Sequence, residues 1–189
     1  MIETNTACIL SSFVVILVFI IIFIILIYNR IIQLENNINK AWANIDVSLK
    51  QRSNELPNLV NIVKAYMKYE KDLLVTITKA RSYLNQVDDI HKKAAANEII
   101  SESLKSLFLV AEKYPELKAQ ENFIFLQKRI TALENEISDR REYFNDCVTI
   151  YNTRIKSFPD LLIAKMIKVD KKGLFKAREE DKKEIKLNF

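Results

Sequence analysis

The stretch ACILSSFVVILVFIIIFIILIY at residues 7–28, followed by IIQLENNINKAWANIDVSLKQRSNELPNLV at residues 31–60, decides the fold. No charged residue occurs from Thr4 to Asn29. Twenty-two helical residues rise about 33 Å, which matches a bilayer hydrocarbon core of roughly 30 Å. The run is too long for the apolar region of a cleaved signal peptide, no basic residue leads it and no A-x-A-like site follows it. We read residues 7–29 as a transmembrane helix and residues 1–6 as a short tail outside the cytoplasm. Cys8 precedes the apolar run, where a small interfacial residue and a palmitoylation target are the two readings. Glu3 stands before the helix, and Arg30, Lys40, Lys50 and Arg52 stand after it. The positive-inside rule therefore places the long C-terminal part in the cytoplasm, as a single-pass protein of the cell membrane.

Beyond the span the apolar period is helical. Ile31, Leu34, Ile38, Ala41, Trp42, Ile45 and Leu49 recur in steps of three and four, and Leu56, Leu59, Val63, Tyr66, Leu73, Ile77, Ala80, Leu84 and Val87 continue at coiled-coil spacing. Pro57 fits the first turn of a new helix capped by Ser53 or Asn54, or a kink within one continuous helix. Asp88 and Asp89 mark a turn before a third helix that carries Ile99, Ile100, Leu104, Leu107, Phe108 and Ala111 inward and stops before Pro115. A fourth, from about Leu117, carries Phe123, Leu126, Ile130, Leu133, Ile137, Phe144, Val148, Tyr151, Ile155 and Phe158 inward. The expectation is an all-α chain, with the transmembrane helix followed by an antiparallel up-and-down four-helix bundle over residues 30–158 (helices at about 31–53, 54–87, 90–113 and 117–158). Residues 159–189 read as a short helix and a charged, solvated tail, with Ile185, Leu187 and Phe189 as an extended docking end.

Composition narrows the function. The 189 residues include one glycine, Gly173, so dinucleotide and P-loop cradles and nucleophile elbows are excluded. One histidine, His91, with Cys8 and Cys147 far apart in sequence, cannot complete a four-ligand zinc site. The net charge of +5 is spread along the chain, which suits an anionic leaflet better than a nucleic-acid groove. No cofactor, nucleic acid or small-molecule substrate is expected.

Tyr28 and Asn29, then Ala41, Trp42, Ile45, Asp46, Val47, Leu49, Lys50 and Arg52, then Leu56 to Val60, resemble the LemA family of membrane-anchored bacterial proteins. The resemblance continues through Lys64, Tyr66, Glu70, Ala80 and Arg81, the block Ala111 to Ala119, and Asn122, Phe123, Leu126 and Gln127. It ends with Glu134, Asn135, Ile137, Arg140, Arg141, Tyr143, Asn145, Tyr151, Asn152, Phe158 and Pro159, and so spans about residues 28–163. Ala65 stands where the family often has Gly, and Tyr69 where it often has His. The resemblance implies an anchored helical bundle with no established enzymatic activity, and gene neighbourhoods of the family point to a membrane protease as one partner.

Several residues stand out as candidate sites. Asp88, Asp89 and His91 fall within one turn, which capping explains better than metal ligation. The carboxylate pairs Glu134 with Glu136 and Glu179 with Glu180 read as solvated faces. Glu70 and Arg140 occupy expected seam positions, so each needs a partner or sits at a rim. Trp42 reads first as a core aromatic, with an interfacial anchor or ligand stack as the alternative. Tyr114, Pro115 and Leu117 look like interaction residues, which helix stop and start chemistry also accounts for. The leading functional reading is a non-catalytic, membrane-anchored interaction or scaffold protein that presents its helices to another envelope protein. The second is a single-pass element that signals from the membrane helix into the bundle.

Overall fold

The computed structural model describes residues 2–177 and 180–182, with side chains at 10, 12–177 and 180–182. Glu179 and the expected docking end at Ile185, Leu187 and Phe189 lie outside the described residues, as does the side chain of Cys8. The described chain is all-helical: α1 (Ile2–Tyr66), α2 (Lys71–Gln86), α3 (Ile90–Ala111), α4 (Pro115–Lys118), α5 (Glu121–Arg154) and α6 (Asp160–Met166). Helix α1 already begins at Ile2, within the stretch read as a tail. Its apolar part is long and apolar enough to cross a membrane, and Phe13 to Leu26 are exposed.

Two compact units divide the chain, Met1–Asn39 with Cys147–Lys172, and Lys40–Asp146 with Gly173–Phe189. In the first, Ile27, Ile31 and Ile38 are buried, as are Val148, Tyr151, Ile155, Ile163 and Ala164. Lys172 pairs with Glu35 at 2.6 Å, and Asn152 holds the backbone of Lys172 by donating to its carbonyl and accepting from its N–H. In the second, α2 packs on α3, and Leu49, Leu56, Leu59, Val63, Ile77, Ile100, Leu107, Phe123, Ile130 and Phe144 fill the core.

Local chemistry sets the boundaries. Asp89 caps α3 by accepting from the N–H groups of His91 and Lys92, both at 2.9 Å. Pro115 opens the one-turn α4, and the Gln120 side chain accepts from Phe123 N–H to start α5. The fourth helix therefore starts at Glu121, later than about Leu117, and ends at Arg154, leaving Phe158 80% exposed instead of inward.

The helix expected at 54–87 is two pieces. Helix α1 runs unbroken through Pro57 to Tyr66, and the chain breaks at 67–70 before α2. Met67, Leu74, Ile77, Ala80 and Leu84 keep helical spacing across the break, and no Gly or Pro marks it, so the periodicity conceals it. Burial of the α2 face, not local propensity, selects the turn.

Pro57 has no N–H to give the carbonyl of Ser53, four residues back. Arg81 of α2 supplies the missing donor, its Nε lying 2.7 Å from the Ser53 carbonyl oxygen, and the Ser53 hydroxyl donates to Asn85 at 3.1 Å. The proline thus opens an acceptor on α1 that α2 closes. Arg81→Leu should destabilise the full chain by about 1–3 kcal/mol in urea unfolding followed by helical circular dichroism. That loss should shrink in the Pro57→Ala background, where the main chain regains its own donor; equal losses in both backgrounds would separate the two residues.

Candidate functional site

The charged centre of the second unit is a residue that the sequence offers only as a charge flanking the span. Arg52 continues the steps Ile45, Leu49, Arg52, Leu56 and is fully buried. Its guanidinium pairs with Glu134 of α5, donates to Asn97 Oδ1 of α3 at 2.6 Å and lies 3.1 Å from the Ser101 hydroxyl. Ser101 in turn donates to Glu134 at 2.8 Å. Burial pushes the Arg52 pKa down to about 9, which leaves it charged at neutral pH opposite the carboxylate. The Arg52 Nε is buried with no hydrogen-bond partner among the described residues.

Glu134 is therefore no solvated carboxylate but the counterion of a buried base, while Glu136 pairs with Arg140 one turn on. Arg140 sits at a half-exposed rim, where it also donates to the Asn44 carbonyl. Glu70 is not on a helix seam. It occupies the break and is the residue before α2, with no side-chain cap bond. Asn44 and Tyr66 are separated by about 33 Å of helix, so Arg140 and Glu70 do not meet. The chain break, which resets which side chains face inward, is what removed Glu70 from the seam.

Trp42 is half-buried between Phe144 and Phe175, each with ring centroids 5.9 Å away, and Lys93 Nζ lies 5.6 Å over its ring. Lys93 also binds Asp46 at 2.5 Å, and Lys50 binds the same carboxylate at 2.8 Å. Burial works to raise the Asp46 pKa, and the two ammonium groups outweigh it, leaving the carboxyl below its usual range. The tail read as solvated docks here instead: Phe175 is buried, its N–H donates to Asn145 at 2.8 Å, and the His91 ring meets the Lys176 carbonyl at 3.0 Å. Asp88 stands beside a polar cleft near Asp46, Lys50 and Lys93. Tyr114 precedes α4, half-buried, and Cys147 is a buried free thiol.

An open groove lies at the corner where α1 turns into α2. It encloses about 670 Å³, with Met67, Leu74 and Val75 forming an apolar floor and Lys64, Lys68 and Lys71 a basic rim. The sequence carried the lysines but not the turn that gathers them.

The sequence profile of the LemA family matches residues 41–189. The chain belongs to the LemA family. It is also similar to Protein LemA of Metamycoplasma hominis, at 25% identity over 158 residues, covering 83% of this chain and 72% of that protein. Arg52 and Glu134, which stand among the residues that carried the family resemblance, pair a buried base with a half-buried carboxylate in this family member.

Arg52→Met should cost about 3–5 kcal/mol by leaving the Glu134 carboxylate uncompensated, and adding Glu134→Leu should recover most of it. Denaturant titration of the full chain in detergent measures both. A neutral Arg52→Met would show that the pair does not organise the core.

Proposed function

We propose that this protein is a non-catalytic, membrane-anchored interaction protein whose cytoplasmic helices receive an acidic, partly apolar segment of another envelope protein, a membrane protease being one such partner. The observation that carries the reading is the groove at the α1 and α2 corner. An apolar floor removes hydrophobic side chains from water, and a rim of lysines selects segments that carry carboxylates beside them. The buried charged groups fit a structural role, since Arg52, Glu134, Asn97 and Ser101 bond to one another.

The finer architecture we infer is an antiparallel up-and-down four-helix bundle of α1, α2, α3 and α5. Support comes from the pairs Asn44 with Arg140, Arg52 with Glu134 and Glu55 with Arg129, in which one number rises as the other falls. The pairs Asp46 with Lys93 and Arg52 with Asn97 rise together, as alternate helices of such a bundle would. For orientation we infer an outside N-terminus, on the basic residues that follow the apolar run.

A second reading has its own support. Helix α1 is unbroken from Ile2 to Tyr66, and a continuous helix is the element a signal-transducing protein needs to carry movement from the membrane.

Photo-crosslinking from position 68 in intact cells tests the first reading. The expected result is one captured envelope protein, joined through a peptide in which Asp or Glu flank apolar residues. Lys64→Glu with Lys71→Glu should cut that capture about tenfold at unchanged helicity, since reversed rim charges repel the segment. Equal capture from the exposed position 139, or capture that survives the reversal, would overturn the groove as the binding place.

A further inference from the structure

The first unit carries a surface that the anchored-interaction reading does not use. Along α1, side chains from Phe13 to Leu26 are exposed, whereas Ile27 is only 7% exposed and Ile31 only 1%. Protein packing within this unit thus begins at the last turn of the apolar run. The same unit contains the end of α5, helix α6 and the strand-free return to Lys172, which is tied to Glu35 two turns past Tyr28. This corner therefore stands at the level where the apolar run ends.

Two features of the corner point outward. Phe158, in the turn before α6, is 80% exposed, and Leu162 and Met166, one helical turn apart on α6, are 54% and 73% exposed. Around them Lys156, Lys165, Lys168 and Lys171 are all exposed. These lysines line a shallow depression of about 420 Å³ with Leu161 and Val169. The Lys171 ammonium lies close enough to Lys156 to hold the latter below its usual range, so positive charge is crowded here without a counterion between the two. Asp160 is buried and occupied by Arg154 at 3.3 Å, which leaves Asp170 as the one exposed acid among residues 153–172. From Arg154 to Lys172 the sequence has six basic and two acidic residues, so the charge that reads as spread along the chain is concentrated where the fold makes this corner.

We propose that the corner formed by Phe158, α6 and Lys171 is a second membrane contact, lying on the anionic leaflet beside the transmembrane helix, with the three apolar side chains at the acyl boundary and the four lysines on phospholipid headgroups. Apolar side chains interleaved with lysines are the composition that binds in the plane of an interface. Each lysine near an anionic surface adds to the attraction, so four give the contact a strong dependence on lipid charge. The span alone fixes the distance of this unit from the bilayer, and this contact fixes the unit's rotation about the span. The proposal rests on the reading of residues 7–29 as a membrane span.

Full-length protein in nanodiscs, compared with its Phe158→Trp variant, tests it, because the unaltered chain has Trp42 as its one tryptophan. In discs containing phosphatidylglycerol, the added emission should be blue-shifted and quenched about twofold by lipids brominated near the headgroup. The quenching should weaken in pure phosphatidylcholine and on Lys165→Glu with Lys168→Glu and Lys171→Glu. Ile20→Trp, quenched by bromines deep in the chains, verifies the span separately. Water-like, unquenched emission from position 158 with Ile20→Trp quenched would overturn the corner and leave the span standing. Loss of quenching at both positions would remove the span and the corner together. Shielding of position 158 that follows the number of protein copies per disc and ignores lipid charge would assign the face to a second copy and overturn the proposal. Leu162→Trp, exposed at the same corner, repeats the test should the first variant fold poorly.

Discussion

A guanidinium with no solvent exposure needs its partners inside the protein, and Arg52 ties three helices to one point because its two terminal nitrogens find them on two other helices. Asn97 and Ser101 come from α3, Glu134 comes from α5, and Arg52 itself comes from α1. Apolar side chains tolerate sliding and rotation because dispersion has no direction, whereas the hydrogen bonds of this cluster are directional and favour one register. The neighbouring contact works in the same way. Ser53, adjacent to Arg52, offers α2 a carbonyl that Pro57 has freed and that Arg81 occupies. Two consecutive residues of α1 thus specify where each of three other helices stands.

Much of this was legible as pattern. The apolar run, the helical period and the Asp89 cap each follow from residue type and spacing, and the family resemblance was carried by residues that include Arg52, Arg81 and Glu134. The corrections have a common physical source. Periodicity reports which side of a helix is apolar and is blind to where a chain folds back, so the break at 67–70 passed unseen and Glu70 was assigned a seam that it does not occupy. The same blindness hid Arg52. It lay in step between Leu49 and Leu56, but a basic residue just beyond a membrane span also reads as a flanking charge. Its partner Glu134 shares a turn with Glu136, and two carboxylates in a charged helix look solvated until a buried base is found opposite one of them.

The candidate recognition surfaces depended more heavily on the fold. Lys64, Lys68 and Lys71 are ordinary solvated lysines in sequence, and the turn after α1 places them around Met67 and Leu74. Phe158 completes the apolar step pattern of α5, yet the helix stops at Arg154 and leaves the ring in the open. In both cases a helix end, set by tertiary packing, converts an unremarkable residue into a surface feature. On the proposed reading the corners of the helices do the binding, while the internal charges hold those corners in place.

Hydrogen exchange tests that division of labour most directly. Amide protection should be compared between the protein in its native membranes and the same protein purified into nanodiscs. The account predicts that native membranes slow exchange over residues 64–79, at the groove, while the amides around Arg52, Asn97, Ser101 and Glu134 are equally and strongly protected in both settings. Added protection centred on the Arg52 cluster, with the groove unchanged, would contradict the account and make the buried charged centre the place where this protein meets its ligand.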